Sequence, residues 1–199
     1  MVWRILFMYA MAFVFSTTKL HGFWMWTPGD AVDDNIQSSL VSGYQPDQPI
    51  PFNHKRHAGD RQIPCEYCHA DARRSIVAGI PGLNTCMGCH KFVNTNADPI
   101  KFLTAKYKAN EPIEWIKVHD LPDFVRFSHR MHVNAKGKNG EKLLQCQTCH
   151  GPVETMEVVG QWAPLQMGWC VDCHIKTEVP QPGMDVMRHV PISCNTCHF

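Results

Sequence analysis

Residues 52–69 read FNHKRHAGDRQIPCEYCH, and residues 127–150 read FSHRMHVNAKGKNGEKLLQCQTCH. Both stretches open on Phe-x-His-x-x-His and close on Cys-x-x-Cys-His. The second is six residues longer, and Lys138-Asn139-Gly140-Glu141 within its extra length has the composition of a hairpin turn. In each copy a further Cys-x-x-Cys-His follows: Cys86 comes 21 residues after Cys65, and Cys170 comes 24 after Cys146. The second copy adds a third unit, Cys194, again 24 residues on. The chain therefore reads as a two-unit module over 52–90 and a related three-unit module over 127–199, joined by residues 91–126.

All 10 cysteines of the chain fall in these units: Cys65, Cys68 and His69; Cys86, Cys89 and His90; Cys146, Cys149 and His150; Cys170, Cys173 and His174; Cys194, Cys197 and His198. Two thiols at this spacing add across the two vinyl groups of one porphyrin, and the histidine that follows reaches its iron. A disulfide framework has no reason to place a histidine after every second cysteine. Structural zinc would use the Cys-x-x-Cys pairs two at a time, and five units do not divide that way. Five covalently bound haem c groups are the expected cofactors.

Composition agrees. After residue 26, Leu, Ile, Val and Phe supply only about 21% of the residues, near the region where a chain stops burying enough apolar surface to fold alone. Porphyrins would supply that surface and tie the loops together. The expected fold is a multihaem cytochrome c, mostly loops and short α-helices wrapped around the haems, with little sheet. A net charge of +1 leaves no basic face that would argue for nucleic acid.

The first 26 residues, MVWRILFMYAMAFVFSTTKLHGFWMW, carry no charge between Arg4 and Lys19. Those 14 residues fall short of a hydrocarbon core of roughly 30 Å at 1.5 Å per residue. Counting from Trp3 to Trp24 restores the length, with Lys19 snorkelling and Trp24 and Trp26 in the interfacial belt. A cleaved secretory signal is the rival reading. Its cleavage site at Ala10-Met11-Ala12 would leave an apolar core shorter than such signals carry. A single-pass amino-terminal transmembrane anchor is therefore expected, with Arg4 inside and the haem-bearing body on the outer, extracytoplasmic face of the cell membrane. Residues 27–51, rich in Asp and Pro, read as a polar linker.

Each haem takes a fifth ligand from its own unit, so five irons need a sixth. The remaining histidines are His21, His54, His57, His119, His129, His132 and His189. His21 sits at the membrane end and is read as interfacial. Two histidines three apart on a helical turn share one side but diverge by about 60°, so they can serve two neighbouring irons. His119 and His189 are less fixed by pattern, and either could be the spare. Methionine is the competing sixth ligand, with Met156, Met167, Met184 and Met187 in the second module, though methionine in such a sequence more often packs. Six histidines for five positions leave no iron that must stay open, so no catalytic residue is expected and the chain is not expected to be an enzyme on its own.

Phe-x-His-x-x-His ahead of Cys-x-x-Cys-His resembles the class III multihaem cytochromes of the c3 and c7 type. More specifically, AGIPGLNTCMGCH at 78–90 and WIKVHDLPDFVRFSHRMH at 115–132, with the anchor and five attachment units, resemble the pentahaem cytochrome subunit of bacterial alternative complex III over residues 52–198. That resemblance implies an electron-transfer subunit of a membrane quinol:acceptor oxidoreductase. It implies an iron-sulfur subunit as electron donor, polytopic quinol-binding membrane subunits alongside, and a monohaem cytochrome c subunit or soluble carrier as acceptor. It also implies that His54 serves the haem at Cys65/Cys68 and His129 the haem at Cys146/Cys149, with His57 and His132 serving neighbours. Two other functions fit the residues in part. A free-standing membrane quinol dehydrogenase would tend to supply a methionine just after the first haem unit, where this chain has Ala70-Asp71-Ala72-Arg73. A multihaem reductase would need an open iron.

Overall fold

The computed structural model describes residues 43–181 and 187–199, all within one unit, Val32–Phe199. The expected anchor over 1–26, the linker as far as residue 42, His21 and Met184 lie outside the described residues. Among the described residues no helix is long and apolar enough to cross a membrane.

Short helices alternate with loops. A wide, π-type helical turn α1 (Lys55–Asp60) precedes α2 (Cys65–Cys68), α3 (Leu83–His90) and α4 (Asp98–Ala109). The second half holds α5 (His129–Val133), α6 (Cys146–His150), a single 3₁₀ turn at Val153–Thr155, α7 (Met167–Lys176) and α8 (Cys194–Cys197). One two-stranded antiparallel ladder, β1 (Glu178–Pro180) with β2 (Met187–His189), is the only sheet described. In it Glu178 lies opposite His189 and Pro180 opposite Met187. Mostly helix and loop with little sheet, as composition predicts, is what is observed.

The purely polypeptide core is small and sits in the first half. Ile50, Met87, Ile100 and Leu103 form it, with Leu83, Tyr107, Ile113 and Trp115 packed around. Helix α4 exists to complete it. Pro99 stands in its first turn, where a missing N–H costs nothing, and Asn110 in the left-handed conformation (φ 56°) closes it, donating its N–H to the Lys106 and Tyr107 carbonyls. Elsewhere large apolar side chains face outward, including Ile76, Val77, Ile80, Phe124 and Ile192, each more than half exposed. The protein atoms alone do not bury this apolar surface, in keeping with a fold completed by porphyrins.

Residues 43–51, the end of the expected linker, are strapped to the body. Gly43 donates to the Gln161 carbonyl (2.6 Å) and Gln161 returns a bond to Tyr44 (2.9 Å). The Gln48 amide clasps Ile116 at both its N–H and its C=O (3.0 and 2.8 Å). Ile50 is buried. The insertion predicted to turn at 138–141 does so: Lys136 bridges Lys142, Gly137 N–H donates to Glu141 (2.9 Å), and Gly140 takes φ +81°.

Because this core is so small, one cavity in it should matter. Leu103→Ala is expected to destabilise by about 2–5 kcal/mol, while Ala at the exposed Lys101 should stay within about 0.5 kcal/mol. Thermal unfolding of the haem-loaded protein, followed by far-ultraviolet circular dichroism, measures both.

Candidate haem-binding sites

All five Cys-x-x-Cys units lie on helical turns. On such a turn the residues at i, i+3 and i+4 share one face, which brings both thiols and the following histidine to the same side. Three units open their helices, at Cys65, Cys146 and Cys194, and two sit within longer ones, α3 and α7.

The imidazoles are prepared as iron ligands by the backbone. Seven ring Nδ1 atoms lie within hydrogen-bond reach of a carbonyl: His69 on Gly79 (2.6 Å), His90 on Val93 (3.1 Å), His174 on Pro191 (3.0 Å), His198 on Phe124 (3.3 Å), His57 on Asn53 (2.8 Å), His129 on Ile76 (3.0 Å) and His132 on Ser128 (2.8 Å). A carbonyl accepts only from a protonated nitrogen, so this contact fixes the tautomer and leaves the Nε2 lone pair for a metal. At four histidines burial also disfavours the charged form. It pushes His54 and His119 down to about 4 and His150 down to about 3, with neighbouring histidines adding to the effect. His132 is lowered for the same first reason.

The two Phe-x-His-x-x-His copies are built alike. In the first, Phe52 meets His54 edge-on (4.8 Å between centroids) and stacks on His57 (4.4 Å). In the second, Phe127 meets His129 edge-on (4.9 Å) and stacks on His132 (4.5 Å). The second histidine of each copy turns its Nδ1 toward the carbonyl four residues back. The phenylalanine thus splays the two rings onto separate targets, a role the spacing alone did not assign.

Those targets are the attached histidines. His57 stands 6.1 Å from His90, His129 stands 6.3 Å from His150, and His132 stands 6.1 Å from His174, centroid to centroid. An iron with two imidazole bonds of about 2.0 Å, plus a ring radius of roughly 1.1 Å on each side, requires about 6.2 Å. Three pairs therefore fit a six-coordinate haem iron between them. His54 lies close enough to His69 and His57 for them to depress its pKa. Among the described residues no cluster of three or more His, Cys, Asp or Glu is assembled for a bare metal ion, whereas paired imidazoles suit a porphyrin.

His119 and His189 part company. His119 packs edge-on to His150 at 4.4 Å, and its Nε2 is buried without a hydrogen bond. His189 is exposed on β2, its Nε2 3.4 Å from the Glu178 carboxylate. Met167 is exposed, and Met187 lies on β2.

Module contacts are reciprocal. Helix α1 of the first module packs on the 3₁₀ turn after His150: Lys55 N–H donates to Met156 (2.9 Å), and a Cβ on Gly59 would collide with the Glu154 carbonyl. Helix α5 of the second packs on the loop after His69, where His129 and Arg130 N–H donate to Ile76 and Ser75 (3.0 Å each) and Asn134 binds the Arg73 carbonyl (2.9 Å). The thiols follow the same order. Burial pushes Cys65, Cys86, Cys149 and Cys170 up, and the neighbours that add to it are Cys146, Cys68, Cys173 and Cys197 respectively. These thiols bring attachment sites next to one another: Cys86/Cys89 beside Cys65/Cys68, Cys65/Cys68 beside Cys146/Cys149, Cys146/Cys149 beside Cys170/Cys173, and Cys170/Cys173 beside Cys194/Cys197.

Residues 32–121 match the Class III cytochrome C family. Over 107 residues the chain is also 31% identical to the "Menaquinone reductase, multiheme cytochrome c subunit" of Nitratidesulfovibrio vulgaris strain Hildenborough. The matched stretch is 53% of this chain and 47% of that relative, so the similarity spans about half of each. The family match covers under half of the chain and holds the attachment units at Cys65/Cys68 and Cys86/Cys89, so what it shows is a similarity to class III multihaem cytochromes over that stretch. A haem held at each unit would supply one-electron chemistry; the residues fix the tautomers of seven imidazoles and set three pairs of rings face to face.

If the phenylalanines position the second histidines, removing a ring contact worth about 0.5–1.5 kcal/mol should loosen a sixth ligand about 2- to 12-fold. Phe52→Ala and Phe127→Ala are expected to bind ferrous carbon monoxide more readily by that factor, with Phe102→Ala, remote from the histidines, unchanged. Equal behaviour of all three would show that the rings do not hold the ligands.

Proposed function

We propose that this chain is a pentahaem electron-transfer subunit of a membrane quinol:acceptor oxidoreductase of the alternative complex III kind. It is anchored by residues 1–26, carries its haems on the outer face of the cell membrane, and catalyses no reaction alone. The observation that carries this reading is the set of facing imidazoles at 6.1–6.3 Å: irons ligated on both faces exchange electrons and leave substrates no position to bind. The adjacency of successive attachment sites supports it, since a relay needs close stations. In this reading electrons arrive from an iron-sulfur subunit beside polytopic quinol-binding subunits, and leave to a monohaem cytochrome c or a soluble carrier.

A second reading keeps the relay and reverses its direction. The relative from Nitratidesulfovibrio vulgaris carries the name of a menaquinone reductase subunit, which favours electrons entering through the cytochrome and ending on quinone.

Mild-detergent purification of the native protein, followed by quinol addition, tests both. Co-migration with iron-sulfur and polytopic subunits, and haem reduction by menaquinol, are expected. A lone subunit that oxidises quinol unaided would remove the first reading. Haems that stay oxidised with quinol in the intact assembly, yet pass electrons to added menaquinone once reduced, would replace it with the second.

A further inference from the structure

The extra length of the second copy is not needed by the haem site it precedes. His57 and His132 reach their facing imidazoles at the same 6.1 Å, yet seven residues separate His57 from Cys65 and 13 separate His132 from Cys146. The six additional residues form a hairpin instead. In it Lys136 bridges Lys142, Gly137 N–H donates to the Glu141 carbonyl (2.9 Å) and Leu143 N–H donates to the Ala135 carbonyl (3.1 Å). We propose that this hairpin is a docking surface for an electron-carrying protein with an acidic face, presented through Lys136, Lys138 and Lys142. The proposal rests on the relay reading above and adds the kind of surface that the donor or acceptor must carry.

Three observations carry it. The first is register. The ladder bonds flank Lys136 and Lys142 rather than join them, which makes these two a non-hydrogen-bonded pair, the kind whose Cα atoms lie closest. Their side chains share one face, and like charges directly opposite each other destabilise a ladder. Lysine blunts an exposed edge strand, but opposite charges across the rung would serve that purpose as well. Two ammonium groups in this place weaken the hairpin, and an anionic partner would relieve them.

The second observation is where the charge goes unmet. All three lysines are exposed, and among the described residues none forms an ion pair, whereas Lys55, Lys101, Lys106, Lys117 and Lys176 each hold a carboxylate. Glu141, the acid within the hairpin, has its carboxylate turned back to accept from the Asn139 N–H (2.9 Å). The Arg73 guanidinium, at 2.7 Å, is what chiefly holds Glu66 below the usual carboxylate range, with Lys142 adding a lesser part.

The third is place. Lys142 lies four residues before Cys146 and acts on Glu66, the neighbour of Cys65. The Cys65 and Cys146 thiols stand within hydrogen-bonding reach of one another. The hairpin therefore stands where the first attachment units of the two modules meet, and a protein docked on it lies beside both. A lipid surface is the other anionic partner open to a basic hairpin. Glu66 and Glu141 among the lysines make the patch a mosaic, which complementary side chains on a protein match better than a uniform sheet of headgroups.

The test uses the full-length chain, matured with haem and purified in detergent, with an acidic blue-copper protein as the probe. In stopped-flow mixing the copper protein should reoxidise the reduced haems, one copper reduced for each haem oxidised, at a second-order rate that falls as salt is added. Glutamine at Lys136, Lys138 and Lys142 together should slow this reaction about 10-fold at low salt and flatten its salt dependence. Glutamine at Lys101, Lys108 and Lys176 together removes the same charge elsewhere and should slow it less than about 2-fold. With a basic monohaem cytochrome c as oxidant, the hairpin variant should be no slower than the parent. Carbodiimide cross-linking, read by peptide mass spectrometry, should join carboxylates of the copper protein to the hairpin lysines whether or not electrons pass. Equal slowing by the two triple variants, or cross-links that fall outside the hairpin, would overturn the proposal. So would protection of the three lysines from a membrane-impermeant amine reagent in vesicles rich in phosphatidylglycerol but not in neutral ones, which would assign the hairpin to lipid. Cross-links at the hairpin with no electron transfer to either oxidant would uphold the docking surface and count against the relay reading instead.

Discussion

The contact on which the rest depends is a backbone carbonyl accepting the Nδ1 proton of a histidine. Made once, it would be incidental. Here it recurs at His57, His69, His90, His129, His132, His174 and His198. Each instance fixes a tautomer, and each aims Nε2 away from the peptide that holds the ring. At three other rings, His54, His119 and His150, burial instead holds the pKa far below neutrality, so a lone pair is available at any physiological pH. The one conventional core, around Met87 and Leu103, is confined to the first module and α4.

The two modules are not beads on a string. Each Phe-x-His-x-x-His turn docks on the loop that follows the other stretch's first attachment unit. Gly59 allows this approach on one side because any side chain there would strike the Glu154 carbonyl. On the other side Asn134 reaches two carbonyls at once, its own module's Arg130 and the other module's Arg73 (2.9 Å each). Such cross-docking fixes the distance between the first sites of the two modules, and a relay requires that distance to be short and constant.

Much of this was legible in the residues. The five attachment units, the doubled Phe-x-His-x-x-His, the scarcity of sheet and the turn at 138–141 all follow from local spacing and turn chemistry. The resemblance to class III cytochromes gave His129 to the haem at Cys146/Cys149, and the 6.3 Å approach of His129 to His150 fits that assignment. What stayed hidden depends on contacts between residues far apart in the chain. Phe52 and Phe127 stand in the doubled motif, but their role in dividing each histidine pair shows only in the ring contacts. Residues 43–51 read as tether because Gln48 and Gln45 give no local sign of reaching Ile116 and Val158. His119 and His189 are equivalent as letters. Burial separates them, and burial is a property of the assembled chain.

Near-infrared magnetic circular dichroism of the oxidised full-length protein tests the central claim most directly, because its charge-transfer bands report the axial ligand pair of each ferric haem. Bis-imidazole bands with the intensity of five haems are the predicted result. Methionine-type or high-spin bands accounting for two or more of the haems would contradict the account.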